Sequence, residues 1–261
     1  MRVLNYKKYK LFAEKLSKEA GAILLNHLGK IKKISYKSKI DLVTDVDTKC
    51  ERLILKRIKD VFSEHEIISE EAGTVGSNSS DYQWLIDPLD GTTNYAHSFG
   101  FFCVSIALLY KGEVIVGVVY DPLRDELFSA SKDKGSYLNG KRISVSSIKS
   151  LRRSLLATGF PYSLGKLLQR NMDNFKRFIL KSQAVRRAGS AALDLCYVAA
   201  GRFDGFWELG LHPWDTAAGV LIVQEAGGKV TTFNNKQFNP FLKEIVATNR
   251  SLHNKIIKVL R

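Results

Sequence analysis

The chain is poor in cysteine and proline and has no long apolar run. Only three cysteines, Cys50, Cys103 and Cys196, occur in its 261 residues. They are odd in number, far apart and set among apolar neighbours, which argues against a disulfide framework and predicts buried free thiols in a reducing, cytoplasmic setting. None has the histidine or glycine-turn context of a nucleophile, so thiol catalysis is set aside. No apolar stretch approaches the roughly 20 residues that cross a bilayer, and no membrane partner is expected. The segment Met1 to Lys18 has a basic helical pattern without the unbroken apolar centre or small-residue cleavage site of a secretory signal. No repeat or low-complexity segment divides the chain.

The most informative absence is of positive charge. Between Asp60 and Tyr110 there is no lysine or arginine, in a protein whose formal net charge is +14. The same window carries Asp60, Glu64, Glu66, Glu70, Glu71, Asp81, Asp87 and Asp90. Such segregation costs folding energy through like-charge repulsion unless something cationic sits there. Carboxylate oxygens without a cysteine or histidine cluster suit Mg²⁺, Mn²⁺ or Ca²⁺ rather than Zn²⁺. A solvated acidic face would account for the charges alone, but not for their order. Trp84-Leu85-Ile86 runs straight into Asp87, and Pro88 lacks a ladder donor, so a strand is expected to end at Asp87. Asp90 then falls on a turn that Gly91 permits. Thr92 and Thr93 follow as helix-start residues with backbone N–H groups to offer. An ordinary Asp-Pro turn explains Asp90 and Gly91, yet it requires neither Asp87 nor Thr92. The whole set puts cation ligands beside an anion cradle, the combination needed to bridge a phosphate to protein through metal ions.

Periodicity places these residues in a larger plan. Lys7–Leu28 and Thr48–Phe62 have the apolar spacing of amphipathic helices, the second with Thr48 and Glu51 as a capping box. His65–Ser69, Tyr82–Asp87, Phe101–Tyr110, Glu113–Tyr120, Glu126–Ala130 and Ser136–Ser144 read as strands. Lys111-Gly112, Asp121-Pro122 and Asn139-Gly140 punctuate them, which predicts a mainly antiparallel sheet on two helices. After about Val145 the texture becomes α/β. Strands are expected at Ser154–Thr158, Gln183–Arg187, Asp204–Glu208 and Glu244–Ala247, with helices at Leu164–Leu180, Ser190–Ala200, Asp215–Glu225 and Leu252–Leu260. Residues 1–145 would thus carry most cation ligands, and residues 146–261 would complete the site. The small-residue loop Gly73–Ser80, between Glu71 and Asp87, is expected to be mobile over it.

Three more fragments join the central motif: Leu42-Val43-Thr44-Asp45-Val46-Asp47, Ile67-Ile68-Ser69-Glu70-Glu71 and Pro213-Trp214-Asp215-Thr216-Ala217-Ala218-Gly219. Taken singly, Asp47 and Asp215 read as helix N-caps and Glu70 as a surface acid. In this order, with Asp87-Pro88-Leu89-Asp90-Gly91-Thr92-Thr93-Asn94, Gly189-Ser190-Ala191-Ala192 and Glu225-Ala226-Gly227-Gly228, the chain resembles the inositol monophosphatase family of Mg²⁺-dependent, lithium-sensitive sugar phosphatases over essentially its whole length. The resemblance implies a layered αβαβα sandwich and two or three Mg²⁺ per site, with Mn²⁺ as a substitute. It implies that Glu70, Asp87 and the Leu89 carbonyl hold the first ion, and that Asp87, Asp90 and Asp215 hold the second. Thr92, supported by Asp47 and Glu70, would orient and deprotonate the attacking water. Gly91 and Thr92 would bind phosphate, and Arg186, Gly189, Ser190, Ala191 and Glu208 would line the substrate side. Arg187 stands next to Arg186, which leaves open which of them faces substrate. Departures from the family pattern are Phe99-Gly100, where proline is common, and the extra acid Asp45.

The expected activity is release of phosphate from inositol 1-phosphate or a similar polyol or sugar phosphate, by a protein that forms a homodimer. Fructose 1,6-bisphosphate and 3′-phosphoadenosine 5′-phosphate are the alternative substrates. The basic clusters Lys7–Lys18 and Lys30–Lys39 leave a second class open, in which the chain binds RNA or a transcription complex. No aromatic-interleaved or helix-turn-helix signature accompanies them, so nucleic acid is not the favoured partner.

Overall fold

The computed structural model describes residues 6–31, 34–36, 42–76, 80–161 and 165–260. Helices α1 (Tyr6–His27) and α2 (Asp45–Val61) lie side by side, with the short strands β1 (Ile34–Tyr36) and β2 (Leu42–Thr44) paired between them in sequence. An eight-stranded sheet follows. Its members are β3 (Glu66–Ser69), β4 (Gly73–Val75), β5 (Tyr82–Asp90), β6 (Cys103–Tyr110), β7 (Glu113–Asp121), β8 (Glu126–Ser131), β9 (Ser136–Leu138) and β10 (Lys141–Arg142), with the one-turn helix α3 (Thr92–Ala96) after β5. The order across the sheet is β10-β9-β8-β7-β6-β5-β3-β4, antiparallel throughout except where β3 runs parallel to β5. A five-stranded sheet completes the fold in the order β12-β11-β13-β15-β14. Its strands are β11 (Leu155–Thr158), β12 (Ala184–Arg186), β13 (Gly205–Leu209), β14 (Lys229–Thr231) and β15 (Glu244–Thr248). Helices α4 (Lys166–Ile179), α5 (Ala191–Ala199), α6 (Pro213–Glu225) and α7 (His253–Ile257) accompany it.

The layers follow from side-chain alternation, since successive residues of a strand face opposite ways. On β5, Trp84 and Ile86 join Ile54 and Leu24 in the core under α1 and α2, whereas Leu85 between them joins Leu195 and Ile222 on the other face. On β13, Phe206 points into that inner core and Trp207 into an outer one with Phe178 and Ile256. Helices α5 and α6 are apolar nearly all round because both their sides are covered, one by each sheet. The result is the expected αβαβα sandwich. Among the described residues no helix is long and apolar enough to cross a membrane, and Cys50, Cys103 and Cys196 are buried free thiols.

Several boundaries differ from expectation, each for a local reason. Helix α2 starts at Asp45, not Thr48. Thr44 is its N-cap, its hydroxyl accepting from the Val46 and Asp47 N–H groups, while Asp47 closes the capping box by accepting from the Thr44 N–H at 2.9 Å. Strand β5 does not stop at Pro88. It bulges between Asp87 and Asp90 and re-pairs with Cys103, which absorbs the missing proline donor. Gly73–Val75, expected in a mobile loop, forms the edge strand β4 against β3, and residues 77–79 lie outside the described set. Asn139-Gly140 splits the expected Ser136–Ser144 strand into the β9–β10 hairpin. The closing helix is shorter than expected. Strands β1, β2 and β14 are too short for periodicity to announce. Part of the Lys30–Lys39 cluster, Asp41 and the start of the Leu164–Leu180 helix lie outside the described residues.

Helix α7 is anchored by a buried histidine. His253 is 1% exposed, and its ring nitrogens meet the Thr231 and Thr248 hydroxyls at 2.9 and 3.0 Å. Burial, aided by Lys229, lowers its pKa to about 4. The folded imidazole therefore stays neutral where the unfolded one, near 6.5, takes up a proton, so stability present above pH 6.5 is lost as pH falls towards 4. Replacing His253 by Gln should remove this dependence, worth on the order of 2–3 kcal/mol over that window. The difference in Tm between parent and variant is expected to shrink steadily from pH 7 to pH 4.5; a constant difference would show that His253 does not titrate across folding.

Candidate active site

One cavity of about 630 Å³ opens where the two sheets meet, and both halves of the chain line it. The N-terminal half supplies Glu70, Asp87, Leu89, Asp90, Gly91 and Thr92, and the C-terminal half supplies Arg187, Gly189, Ser190, Ala191, Glu208 and Asp215. Thus the residues expected from the motifs are brought together at this cavity except Arg186 and Asp47, the latter buried behind the wall and reached through Thr92. Arg186 is exposed on β12, its guanidinium resting on the Val185 carbonyl, while Arg187 borders the cavity. Arg186 is the last residue of β12 and Arg187 the first beyond it, where the chain turns towards Gly189 and the start of α5.

The turn after β5 is built around Gly91, whose φ of 95° an L side chain rarely adopts. A Cβ there would also lie 2.9 Å from the Phe101 carbonyl. Asn94 locks the turn by donating to the Phe101 carbonyl at 2.7 Å and to the Ala188 carbonyl, across the domain, at 2.8 Å. Thr92 Oγ1 stands 3.1 Å from Asp47 Oδ1 and 3.0 Å from the Leu89 carbonyl. Asp47 is therefore both a capping residue of α2 and the partner of Thr92. Its pKa is raised by burial, against hydrogen bonds from Thr44 and Thr92 that lower it.

Asp90 is the link between the halves. Its Oδ2 accepts from the Ser190 hydroxyl at 2.6 Å and from the Ala192 N–H at 2.8 Å, at the start of α5, where Ser190 is the N-cap. Asp215 likewise serves twice, facing the cavity while accepting from the His212 N–H at 2.7 Å at the start of α6. The Trp214 carbonyl accepts from the Ser105 hydroxyl of β6, which ties that helix start to the large sheet. Glu70 is carried on a turn held by a buried neighbour: Glu51 of α2 accepts from the Ser69 hydroxyl and, at 3.0 Å each, from the Glu71 and Ala72 N–H groups.

The electrostatics are those of acids held together. Burial raises the Asp87 pKa well above the usual carboxylate range, and Glu70, Asp90 and Asp215 raise it further. Asp215 is raised by burial and then by Glu70 and Asp90. Burial pushes Asp90 up to about 6, despite the opposing Ser190 and Ala192 hydrogen bonds. At the opposite end burial and Asp90 push Glu208 up to about 8, with Arg187 opposing. Among the described residues no three His, Cys, Asp or Glu side chains are grouped closely enough to hold a metal ion as they stand. The carboxyl groups instead line a shared wall, all oxygen donors of the type that hard divalent cations take, and mutual repulsion is what such a cation would relieve.

A model of the inositol monophosphatase family matches residues 5–261. The chain belongs to the inositol monophosphatase family. It is 46% identical over 242 residues to an inositol-1-monophosphatase of Synechocystis, covering 92% of this chain and 84% of the relative. It is 42% identical over 259 residues to the Nus factor SuhB of Pseudomonas aeruginosa, covering 95% and 94%. The solved extragenic suppressor protein SuhB of Bartonella henselae superposes with a TM-score of 0.92 at 36% identity, covering 96% and 97%. These likenesses run through both halves of the site, and the chain is a phosphatase of this family.

Motif reading missed the cavity's outer wall. Phe160, Pro161, Leu167 and Lys243 line it from loops and a helix start with no pattern of their own, and Asp194 hides in the α5 run as an apparent surface acid. Asp194 is 1% exposed, with Oδ1 lacking a hydrogen-bond partner among the described residues.

A carboxyl raised to about 6 favours the fold only below its unfolded value, near 3.9, and loses that contribution as pH rises through 6. Asp90→Asn keeps an oxygen for Ser190 and Ala192 but removes the charge. In excess chelator this variant should melt above the parent at pH 8, with the gap narrowing below pH 6 and closing towards pH 4. A variant that melts lower at both pH values would mean that the repulsion is not felt.

Proposed function

We propose that the cavity hydrolyses the phosphate monoester of a cyclic polyol, with myo-inositol 1-phosphate as the reference substrate. The observation that carries this is the convergence of Glu70, Asp87, Asp90 and Asp215 beside the Thr92–Asp47 hydrogen bond in one cavity. Mg²⁺, or Mn²⁺ in its place, would be held by Glu70, Asp87, the Leu89 carbonyl, Asp90 and Asp215. Bound there, divalent cations supply charge neutralisation at the phosphate and ease deprotonation of water.

The chain's own groups do the rest. Thr92 passes its hydroxyl proton towards Asp47, which leaves its oxygen to accept from the attacking water. Glu70 flanks the same position. Backbone N–H groups of Gly91 and Thr92 face the phosphate, so charge and alignment, the main needs of phosphoryl transfer, are met by fixed donors. On the substrate side stand Gly189, Ser190 and Ala191, with Arg187 taking the place expected of Arg186. Glu208 accepts hydrogen bonds from ring hydroxyls, which favours a polyol over a nucleotide or an aryl ester.

Relatives named Nus factor favour a second reading, association with a transcription complex, for which the lysines of α1 offer positive charge. Lys10 and Lys15 are already paired with Glu14 and Glu19, which weakens that surface. A homodimer, as the family resemblance implies, would be checked by sedimentation; Phe99 and Leu123 are exposed apolar residues available to it.

Phosphate release should be measured on polyol, sugar, nucleotide and aryl phosphates with and without Mg²⁺. Turnover is expected only with the cation, and full turnover in excess chelator would overturn the proposal. Glu208→Ala should raise KM for inositol phosphate much more than for an aryl phosphate. Higher kcat/KM on 3′-phosphoadenosine 5′-phosphate or fructose 1,6-bisphosphate would reassign the substrate.

A further inference from the structure

The end of β11 approaches Glu208 unusually closely. β11 runs parallel to β13 with Thr158 opposite Trp207, so Gly159 comes level with Glu208 at the mouth of the small sheet. A Cβ placed on Gly159 would overlap the whole Glu208 carboxyl group, Cδ and both oxygens. Torsion is not the reason for glycine here, because Gly159 is absent from the residues with positive φ. Space is the reason: the carboxyl lies directly on the Gly159 Cα.

Neither strand can yield. Thr158 Oγ1 donates to the Trp207 carbonyl at 2.7 Å. Asn171 of α4, fully buried, donates to the Gly159 carbonyl and to Thr158 Oγ1, the latter at 3.2 Å, and accepts from the Trp207 indole N–H at 2.8 Å. Both amide hydrogens and the oxygen of Asn171 are thus used to clamp the two strand ends that flank Glu208. Phe178 packs tilted against Trp207, ring centroids 4.2 Å apart and planes at 32°, and closes the outer side.

We propose that Gly159 is a positioning residue for substrate choice: its bare Cα seats the Glu208 carboxyl back against the cavity wall, held there by the Asn171 clamp, and so leaves room for a ring-sized polyol between Glu208 and the phosphate end. The proposal rests on the reading of Glu208 as the hydroxyl acceptor. A methyl group at position 159 would push the carboxyl into the cavity, displacing the acceptor and taking space from the ring. It would leave the phosphate end, built on Asp87, Asp90 and Gly91, unchanged.

The test is kinetic, on the Mg²⁺-loaded protein, with myo-inositol 1-phosphate and 4-nitrophenyl phosphate compared for Gly159→Ala, Glu208→Ala and the double variant. Gly159→Ala should raise KM for the inositol ester roughly tenfold or more, the scale on which one methyl group acts in a fitted pocket. The aryl ester should change by no more than about threefold, with kcat moving less than KM on both. In the Glu208→Ala background the three atoms nearest the added methyl are gone, so its effect on the inositol ester should vanish; this non-additivity is the signature of direct coupling. If Gly159→Ala alone fails to fold, the double variant, freed of the overlap, should fold and show the kinetics of Glu208→Ala. Equal losses on both esters, or a Gly159→Ala effect that persists without Glu208, would overturn the proposal. If Glu208→Ala costs both esters alike while the coupling remains, polyol recognition by Glu208 fails and the steric link stands.

Discussion

Four carboxyl groups, from Glu70, Asp87, Asp90 and Asp215, border one partly buried cavity, and the rest of the structure is arranged to tolerate them. Each makes ionisation of its neighbours harder, so in isolation the arrangement is a liability. The fold contains it by bonding the acids to fixed donors. Asp87 accepts from the Leu89 N–H, Asp90 from Ser190 and Ala192, and Asp215 from His212. What remains is a concentration of acids inside a chain that is strongly positive overall, the kind of site that would favour a divalent cation.

Helix starts do much of this positioning. Thr44 and Asp47 begin α2, Ser190 begins α5, and His212 with Asp215 begins α6. In each case a residue that satisfies the helix's own N–H groups also faces the site or a residue in it. Capping and site readings of Asp47 and Asp215 are therefore not rivals. The bond that completes the cap fixes the direction of the carboxyl, leaving its second oxygen for Thr92 in one case and for the cavity in the other.

Asp90 also explains why the two sheets act as one body. Its bonds to the start of α5, together with those from Asn94 to the Ala188 carbonyl and from Ser105 to the Trp214 carbonyl, cross between the halves at the cavity itself. The large inner core formed by α5, α6 and both sheets lies directly behind these bonds. Site geometry and packing thus share a boundary, and a change in one is transmitted to the other over a few ångströms.

Much of this was legible in the chain. The order of acids, glycine and threonines from Asp87 to Thr92, the fragments around Asp47, Glu70 and Asp215, and the change from strand hairpins to α/β texture near Val145 sufficed for the fold class and for most of the cavity wall. Such features are local: strand ends, turns and helix starts are written in contiguous residues whose preferences do not await tertiary contacts. The choice of Arg187 over Arg186, the bulge that carries β5 past Pro88, the buried acid Asp194 and the contact between Gly159 and Glu208 were not legible. Each depends on which face of a strand or helix meets a partner distant in sequence, and a single-residue change of register reverses that. The amino-acid order by itself determined which chemistry the site carries, because carboxylates, hydroxyls and glycine turns have fixed chemical character. Only the tertiary structure decided the depth of the cavity and what stands at its far end, because those are set by how closely two strands and a buried asparagine pack.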